Sequence, residues 1–246
     1  MNKGRKDEVF MSHVLDHWQV LPHGQLTQID DGLLTVTGRI HMPMTEFQRR
    51  MTVVRLRDGR LVVYSALALD EDEMRQLEDY GTLAWLVVPG DHHRMDAKIW
   101  KRRYPLMRVL APAGARKAVE DAVHVDNTHA HFNDPDVSFV TVDGTGGHEG
   151  ALVVRRPSGT TLIVNDLIGN MDRDAGFMPR LMGYAGDQPQ IPTGVRLGLA
   201  GNKAQLRQQL LAWADDPRLK RIIVSHGAPI ENRPASELRR LAETLH

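Results

Sequence analysis

The chain of 246 residues has no cysteine. That excludes a disulfide framework, a thiolate metal site and a cysteine nucleophile. It also lacks any apolar run near the ~18 residues a membrane-spanning helix needs, so no membrane association is expected. Net charge is absent too: Lys and Arg number 31 and Asp and Glu number 31. A formal charge of +0 gives no electrostatic case for nucleic acid or an anionic surface. The charged start Met1–Glu8 leads into no apolar core, so it does not read as a signal peptide. The expected setting is cytoplasmic. No feature of the sequence sets an oligomeric state.

What is present is the material of a soluble globular fold. Hydrophobic residues are 41% and charged residues 25% of the chain. Residues 1–15 read as a loosely ordered leader to a single domain spanning 1–246. Turn chemistry at Asp30-Asp31-Gly32 separates two short strands, the second being Leu33–Arg39. Met51–Leu56 and Leu61–Ser65 flank Asp58-Gly59 as a hairpin. Asp70–Tyr80 carries Met74 and Leu77 on one side and predicts a helix ending near Gly81.

Leu83–Val88 is almost wholly apolar, which suits a strand covered on both faces. It stops at Pro89-Gly90 and hands over to Asp91-His92-His93-Arg94-Met95-Asp96. A short helix over Ala97–Arg103, a strand over Met107–Leu110 and a helix over Gly114–Val123 follow. Strand alternating with helix implies partly parallel pairing in this half.

Further on, Val137–Val142 reads as a strand, and Ala151–Arg156 pairs with Thr160–Val164 across Pro157-Ser158-Gly159. Leu167–Thr193 has no clear period and reads as a lid or wall over a site. Within it, Met171, Met178 and Met182 line a pocket or pack on the core. Lys203–Asp215 and Pro234–Leu245 predict helices, with the strand Arg221–Val224 between them.

Three segments carry chemistry-bearing residues in order. They are Gly146-Gly147-His148-Glu149-Gly150 before a strand, Asp166 after the returning strand, and Ser225-His226-Gly227 after a short strand. Glycines before a histidine allow a tight turn that projects the imidazole from a sheet end. With the strand-rich start and the first helix, this order resembles the metallo-β-lactamase fold superfamily, from about residue 33 to the end. More narrowly it resembles an uncharacterised branch whose first metal motif is altered. In that superfamily a His-x-His-x-Asp-His segment follows the first helix and its strand, where Asp91–Asp96 stands here. In one register His92 takes the second histidine position, with Arg94 and Met95 replacing the aspartate and last histidine. Shifted by one, Asp91 and His93 take the two histidine positions, and Asp96 the last. The second register keeps three donor residues. The aspartate usual after the first hairpin is also missing, and Tyr64-Ser65-Ala66-Leu67 stands in its place.

The resemblance implies an α+β fold, an αββα sandwich of two mixed β-sheets flanked by helices. It implies a metal set drawn from His92, His93, Asp96, His148, Asp166 and His226, with Asp91 as an addition. Neighbouring side chains of an extended segment diverge, so only one of His92 and His93 belongs to the site. Asp96 is equally placed to cap the helix after it. A paired site needs roughly six to seven protein ligands, so one divalent metal fits better than two. Zinc leads, with iron and manganese as alternatives. Arg94 is expected near the second-metal position, where its charge opposes another dication. The implied activity is hydrolysis of an ester, lactone, thioester or phosphoester by metal-activated water, with Asp96 or Asp166 as the catalytic group that handles a proton. The competing expectation is a relative that keeps the fold and binds a ligand or partner without hydrolysis. His129-Ala130-His131, with Asp134, resembles half a zinc motif but sits in a polar loop and reads as solvated.

Overall fold

The computed structural model describes residues 14–42, 45–199 and 201–245. Most of the expected leader, residues 1–13, lies outside the described residues. Leu15 within it is buried, and its N–H donates to the Met95 carbonyl at 2.9 Å.

The first half forms a six-stranded sheet in chain order. Strands β1 (Thr27–Asp30), β2 (Leu33–Met42), β3 (Thr45–Arg55) and β4 (Arg60–Tyr64) are joined antiparallel. Helix α1 (Glu71–Tyr80) then carries the chain to β5 (Thr82–Val87), which pairs parallel with β4. Asp70 caps α1 by accepting from the Glu73 N–H at 3.1 Å, which satisfies one of the helix's orphan donors. Helix α2 (Ala97–Arg103) leads to β6 (Arg108–Leu110), also parallel, and helix α3 (Arg116–Glu120) follows.

Strands β2 and β3 run further than the sequence implies, β2 to Met42 and β3 back to Thr45. The polar run Gln48-Arg49-Arg50 hides a strand because both arginines are buried against distant partners. Arg50 donates to the Gly227 carbonyl at 2.8 Å and to Thr35 Oγ1 at 3.2 Å. Hydrophobic alternation cannot report a strand whose inward residues are arginines.

The second half forms a four-stranded sheet in the order β10-β9-β8-β7. Its strands are β7 (Val137–Thr141), β8 (Gly150–Arg156), β9 (Gly159–Asn170) and β10 (Leu219–Gly227). Only β10 joins parallel, along β9. Between β9 and β10 lie α4 (Phe177–Leu181) and α5 (Lys203–Ala214), and α6 (Pro234–Glu243) closes the chain.

Three buried clusters fix the layers. Met74, Leu77, Ile99, Trp100 and Val119 seat α1–α3 on the outer face of the first sheet. Leu206, Leu210, Leu238 and Leu241 seat α5 and α6 on the outer face of the second. Between the sheets, Leu33, Val54, Val62 and Val87 meet Leu152, Val154, Ile163 and Ile223. The product is an αββα sandwich of two mixed sheets. Each sheet has two apolar faces, which need cover on both sides. No described helix is long and apolar enough to cross a membrane.

Candidate metal centre

The loops after β4 and β5, the turn before β8, the middle of β9 and the end of β10 meet at one edge of the sandwich. Asp166 lies inside β9, where the sequence implies a strand already finished. The register explains its role. Val224 pairs with Val164, yet His226 pairs with Gly169, so β9 bulges over the intervening residues. A bulge re-aims a side chain out of the ladder, and here it turns Asp166 toward His226. Gly227, at φ 114°, follows at once, and a Cβ there would lie 1.9 Å from the Asn170 carbonyl oxygen.

Three donor atoms converge. His226 Nε2 is 3.0 Å from Asp166 Oδ1, His93 Nε2 is 3.2 Å from His226 Nε2, and His93 Nε2 is 3.4 Å from Asp166 Oδ1. The opposite nitrogen of each ring is held. His226 Nδ1 lies 2.6 Å from the Gln48 carbonyl. A carbonyl can only accept, so Nδ1 carries the proton and a neutral ring turns its Nε2 lone pair toward Asp166. His93 Nδ1 lies 2.7 Å from Ser65 Oγ. Phe47 and Tyr184 stand edge-on to the His226 ring at 5.0 and 4.9 Å and fix its plane.

This arrangement fits a divalent metal. Metal–ligand bonds of ~2.0–2.1 Å in a tetrahedron set donor atoms ~3.3 Å apart, close to the three separations here. Lone pairs aimed at one another repel unless a cation lies among them. Ligating imidazoles characteristically donate their second N–H to a carbonyl or carboxylate, as His226 does to Gln48.

The electrostatics point the same way. Burial by itself would raise the Asp166 carboxyl, but a proton on the facing His93 or His226 outweighs it and holds the group well below its ordinary value. Burial lowers His93, so the ring is held neutral despite Asp166. Tyr184 donates its hydroxyl to Asp166 Oδ1 at 3.1 Å. Burial and then the Asp166 charge push that phenol well above its usual range.

Outside this group sits a second pair. His148 Nδ1 lies 3.0 Å from Asp91 Oδ2 and 3.1 Å from Oδ1. The glycines before it, at φ 62° and 78°, make the tight turn that the sequence implies. The His148 side chain remains 39% exposed, against 7% for His226. Beneath both groups runs a buried polar row. Ser225 Oγ donates to Asn165 Oδ1 at 2.9 Å, and Asn165 Nδ2 reaches Glu149 Oε1 at 3.5 Å. Glu149 Oε2 has no hydrogen-bond partner among the described residues. Burial, then the Asp166 charge, raises the Glu149 carboxyl well above its ordinary value.

Of the six metal-ligand candidates, the structure therefore brings together His93, Asp166 and His226. His148 stands beside them with Asp91. Asp96 is elsewhere: its carboxylate is buried, ion-paired with Arg49, and accepts from the Ala68 N–H at 2.9 Å. With both oxygens engaged it is not positioned to take a proton in the site. It stands at the N-cap of α2, but its side chain makes no capping bond. His92 is exposed and lies outside the converging group. Arg94 does not fill a metal position. It donates to the Ala118 carbonyl and lies 3.2 Å from Asp121 Oδ2, so its charge is spent at the end of α3. His129 and His131 are exposed, and Asp134 accepts from the Arg57 N–H at 2.7 Å.

Sequence reasoning missed Ser65, Tyr184, Asn165 and Glu149. Ser65 offered one signal, since it stands where the superfamily's aspartate is absent. Its φ of 56° is unusual for a residue other than glycine and aims Oγ at His93. Tyr184 comes from the irregular segment after β9, whose sequence carries no period to mark it.

No family model and no curated protein matches the sequence. Solved structures do. The metallo-β-lactamase DIM-1, in crystals exposed to ceftazidime, superposes with a TM-score of 0.63 at 13% identity, covering 93% of this chain and 100% of that one. FIM-1 from Pseudomonas aeruginosa in its mono-zinc form gives 0.61 at 15% identity, over 92% and 96%. TMB-1 gives 0.60 at 14% identity, over 89% and 97%. The chain has the metallo-β-lactamase fold, and a buried His-Asp-His group lies at one edge of that fold.

Proposed function

We propose that this protein is a metal-dependent hydrolase of the metallo-β-lactamase type. One divalent ion, zinc first, is held by His93, Asp166 and His226. The observation that carries the reading is the set of three donor atoms 3.0–3.4 Å apart, with the rear nitrogen of His226 locked on a carbonyl. FIM-1, which shares this fold, has a mono-zinc form, and that supports a reading with one ion. When bound, the ion supplies Lewis acidity toward a substrate oxygen and acidifies water.

The chain's own groups do the rest. Gln48 and Ser65 hold the two rings in register. Tyr184 shares the Asp166 charge and keeps the carboxylate oriented. Asp91 fixes the Nδ1 proton of His148, leaving Nε2 of a half-exposed ring to take and return a proton. Asp96 has a structural role in this reading, as the partner of Arg49. The substrate is a small molecule with an ester, lactone, thioester or phosphoester bond, and the setting is cytoplasmic. The protein is one domain.

Elemental analysis of protein purified without an affinity tag tests the reading. About one metal per chain is expected, with hydrolysis of at least one generic ester or phosphoester substrate. Less than ~0.2 metal per chain, without recovery on adding zinc, iron or manganese, sinks it. The second reading is a fold relative that binds without hydrolysing. What favours it is the diversion of Asp96 to Arg49. Metal at full occupancy with no turnover across the substrate panel would select it.

A further inference from the structure

A second group of metal-type donors lies far from the first in sequence, where the segment before β1 crosses the start of α1. A ring nitrogen of His23 and one carboxylate oxygen each from Asp70 and Glu73 lie within 4.8 Å of one another. We propose that these three residues form a separate binding site for a first-row divalent cation, of the zinc or manganese class.

The argument starts with Glu73. It sits in the first turn of α1 yet is 8% exposed, which is rare for a carboxylate without a full set of partners. Its Oε1 accepts from the Leu26 N–H at 2.8 Å. Its Oε2 is buried and has no hydrogen-bond partner among the described residues. That oxygen points at His23 Nδ1, 3.3 Å away. The same Nδ1 lies 2.8 Å from the Gly24 carbonyl, which can only accept and so takes the proton of a neutral ring. In the free state the Nδ1–H lies between the Gly24 carbonyl and Glu73 Oε2, and a cation entering the cluster would displace that proton and take the nitrogen together with the buried oxygen.

Asp70 completes the group. Its Oδ1 is occupied in capping α1, and a cation would use the other oxygen. One imidazole with two carboxylates suits zinc or manganese better than calcium, which prefers an all-oxygen shell. A cavity of about 300 Å³, lined by Thr37, Gly38 and Gln48, opens at His23. The elements joined are distinct: His23 bridges to Gly38 of β2, while Asp70 and Glu73 belong to α1. A bound ion would clip the chain before β1 to the outer helix layer.

The test removes the first centre and asks for the second. A metal-stripped Asp166→Asn/His226→Gln variant is titrated with Zn2+ by calorimetry near neutral pH. One ion per chain is expected. Adding Glu73→Gln, or separately Asp70→Asn, which still caps the helix, should weaken that binding by about 100-fold. Glu71→Gln, an acid of the same turn outside the cluster, should leave it unchanged. In the wild-type side chain background, Zn2+ should also shift the His23 ring signals by NMR. No Zn2+ uptake by the double variant overturns the proposal. So does equal weakening by Glu71→Gln, which would mean diffuse attraction to acidic charge. So does full affinity in both Glu73→Gln and Asp70→Asn.

Discussion

The His93–Asp166–His226 group and the Asp91–His148 pair use the same residue types, and Asp91 and His93 share one loop, yet they are built differently. The inner group is buried, and its acceptor atoms face one another with no proton to share. The outer pair is half exposed and satisfies itself through one hydrogen bond. The difference teaches that burial with fixed rear partners leaves donor atoms facing one another as a metal would need them, while exposure with a carboxylate partner leaves a ring nitrogen open to solvent, which is why the proposed roles of the two groups differ. Asp96 shows a third outcome for the same short loop. It pairs with a buried arginine and leaves the chemistry altogether.

The comparison is most easily broken at Asp166. Asp166→Asn keeps the shape and removes the charge that joins the two rings, so metal content should fall from about one per chain to below ~0.2. Plasma emission analysis checks this, and retained metal would undo the distinction between inner and outer groups. Next in size is the structural carboxylate. Arg49→Met strands Asp96 in the interior and should cost about 3–5 kcal/mol in urea unfolding. A loss of under ~1 kcal/mol would mean that Asp96 is free to serve elsewhere. His148→Ala should leave metal content unchanged while lowering kcat by about 10²-fold. Loss of the metal instead would move His148 into the ligand set.

The smallest effect is sought in stability against pH, using metal-free protein. His93 is lowered by burial, so its contribution is present above its unfolded value of ~6.5 and is lost as pH falls toward the folded one. Asp166 is also lowered, and its contribution is lost as pH falls through its depressed folded value. Glu149 runs the other way. Its carboxyl is raised, so its contribution is present below the unfolded value of ~4.3 and is lost as pH rises toward the folded one. Glu149→Gln should therefore gain about 1–3 kcal/mol near pH 8 and little near pH 4. Equal thermal shifts at both pH values would show that Glu149 is not held protonated.

Much of the fold was legible because its signals are local. The helix expected over Ala97–Arg103 spans those residues, and Asp70 caps α1 one residue before its start. The unbroken apolar run of β5 reads as a strand covered on both faces, and so it is. The strand halves around Gln48 were hidden because their inward residues are arginines whose partners lie far along the chain. The site divides in the same way. His226 ends a strand and Asp166 follows a hairpin, features visible in a window of ten residues. Ser65 and Tyr184 take meaning only from His93 and Asp166, which no local pattern connects to them.

By itself the sequence determined the order of the elements, the absence of thiol chemistry and the glycine-flanked positions of the histidines. These follow from composition, periodicity and turn preference, each a property of neighbouring residues. Only the tertiary structure decided between His92 and His93, sent Asp96 to Arg49 and Arg94 to α3, and turned Asp166 inward on a bulge. Those outcomes depend on which charges find partners when distant segments are buried together. The energy of a charge in the interior is set by its partners rather than by its place in the chain.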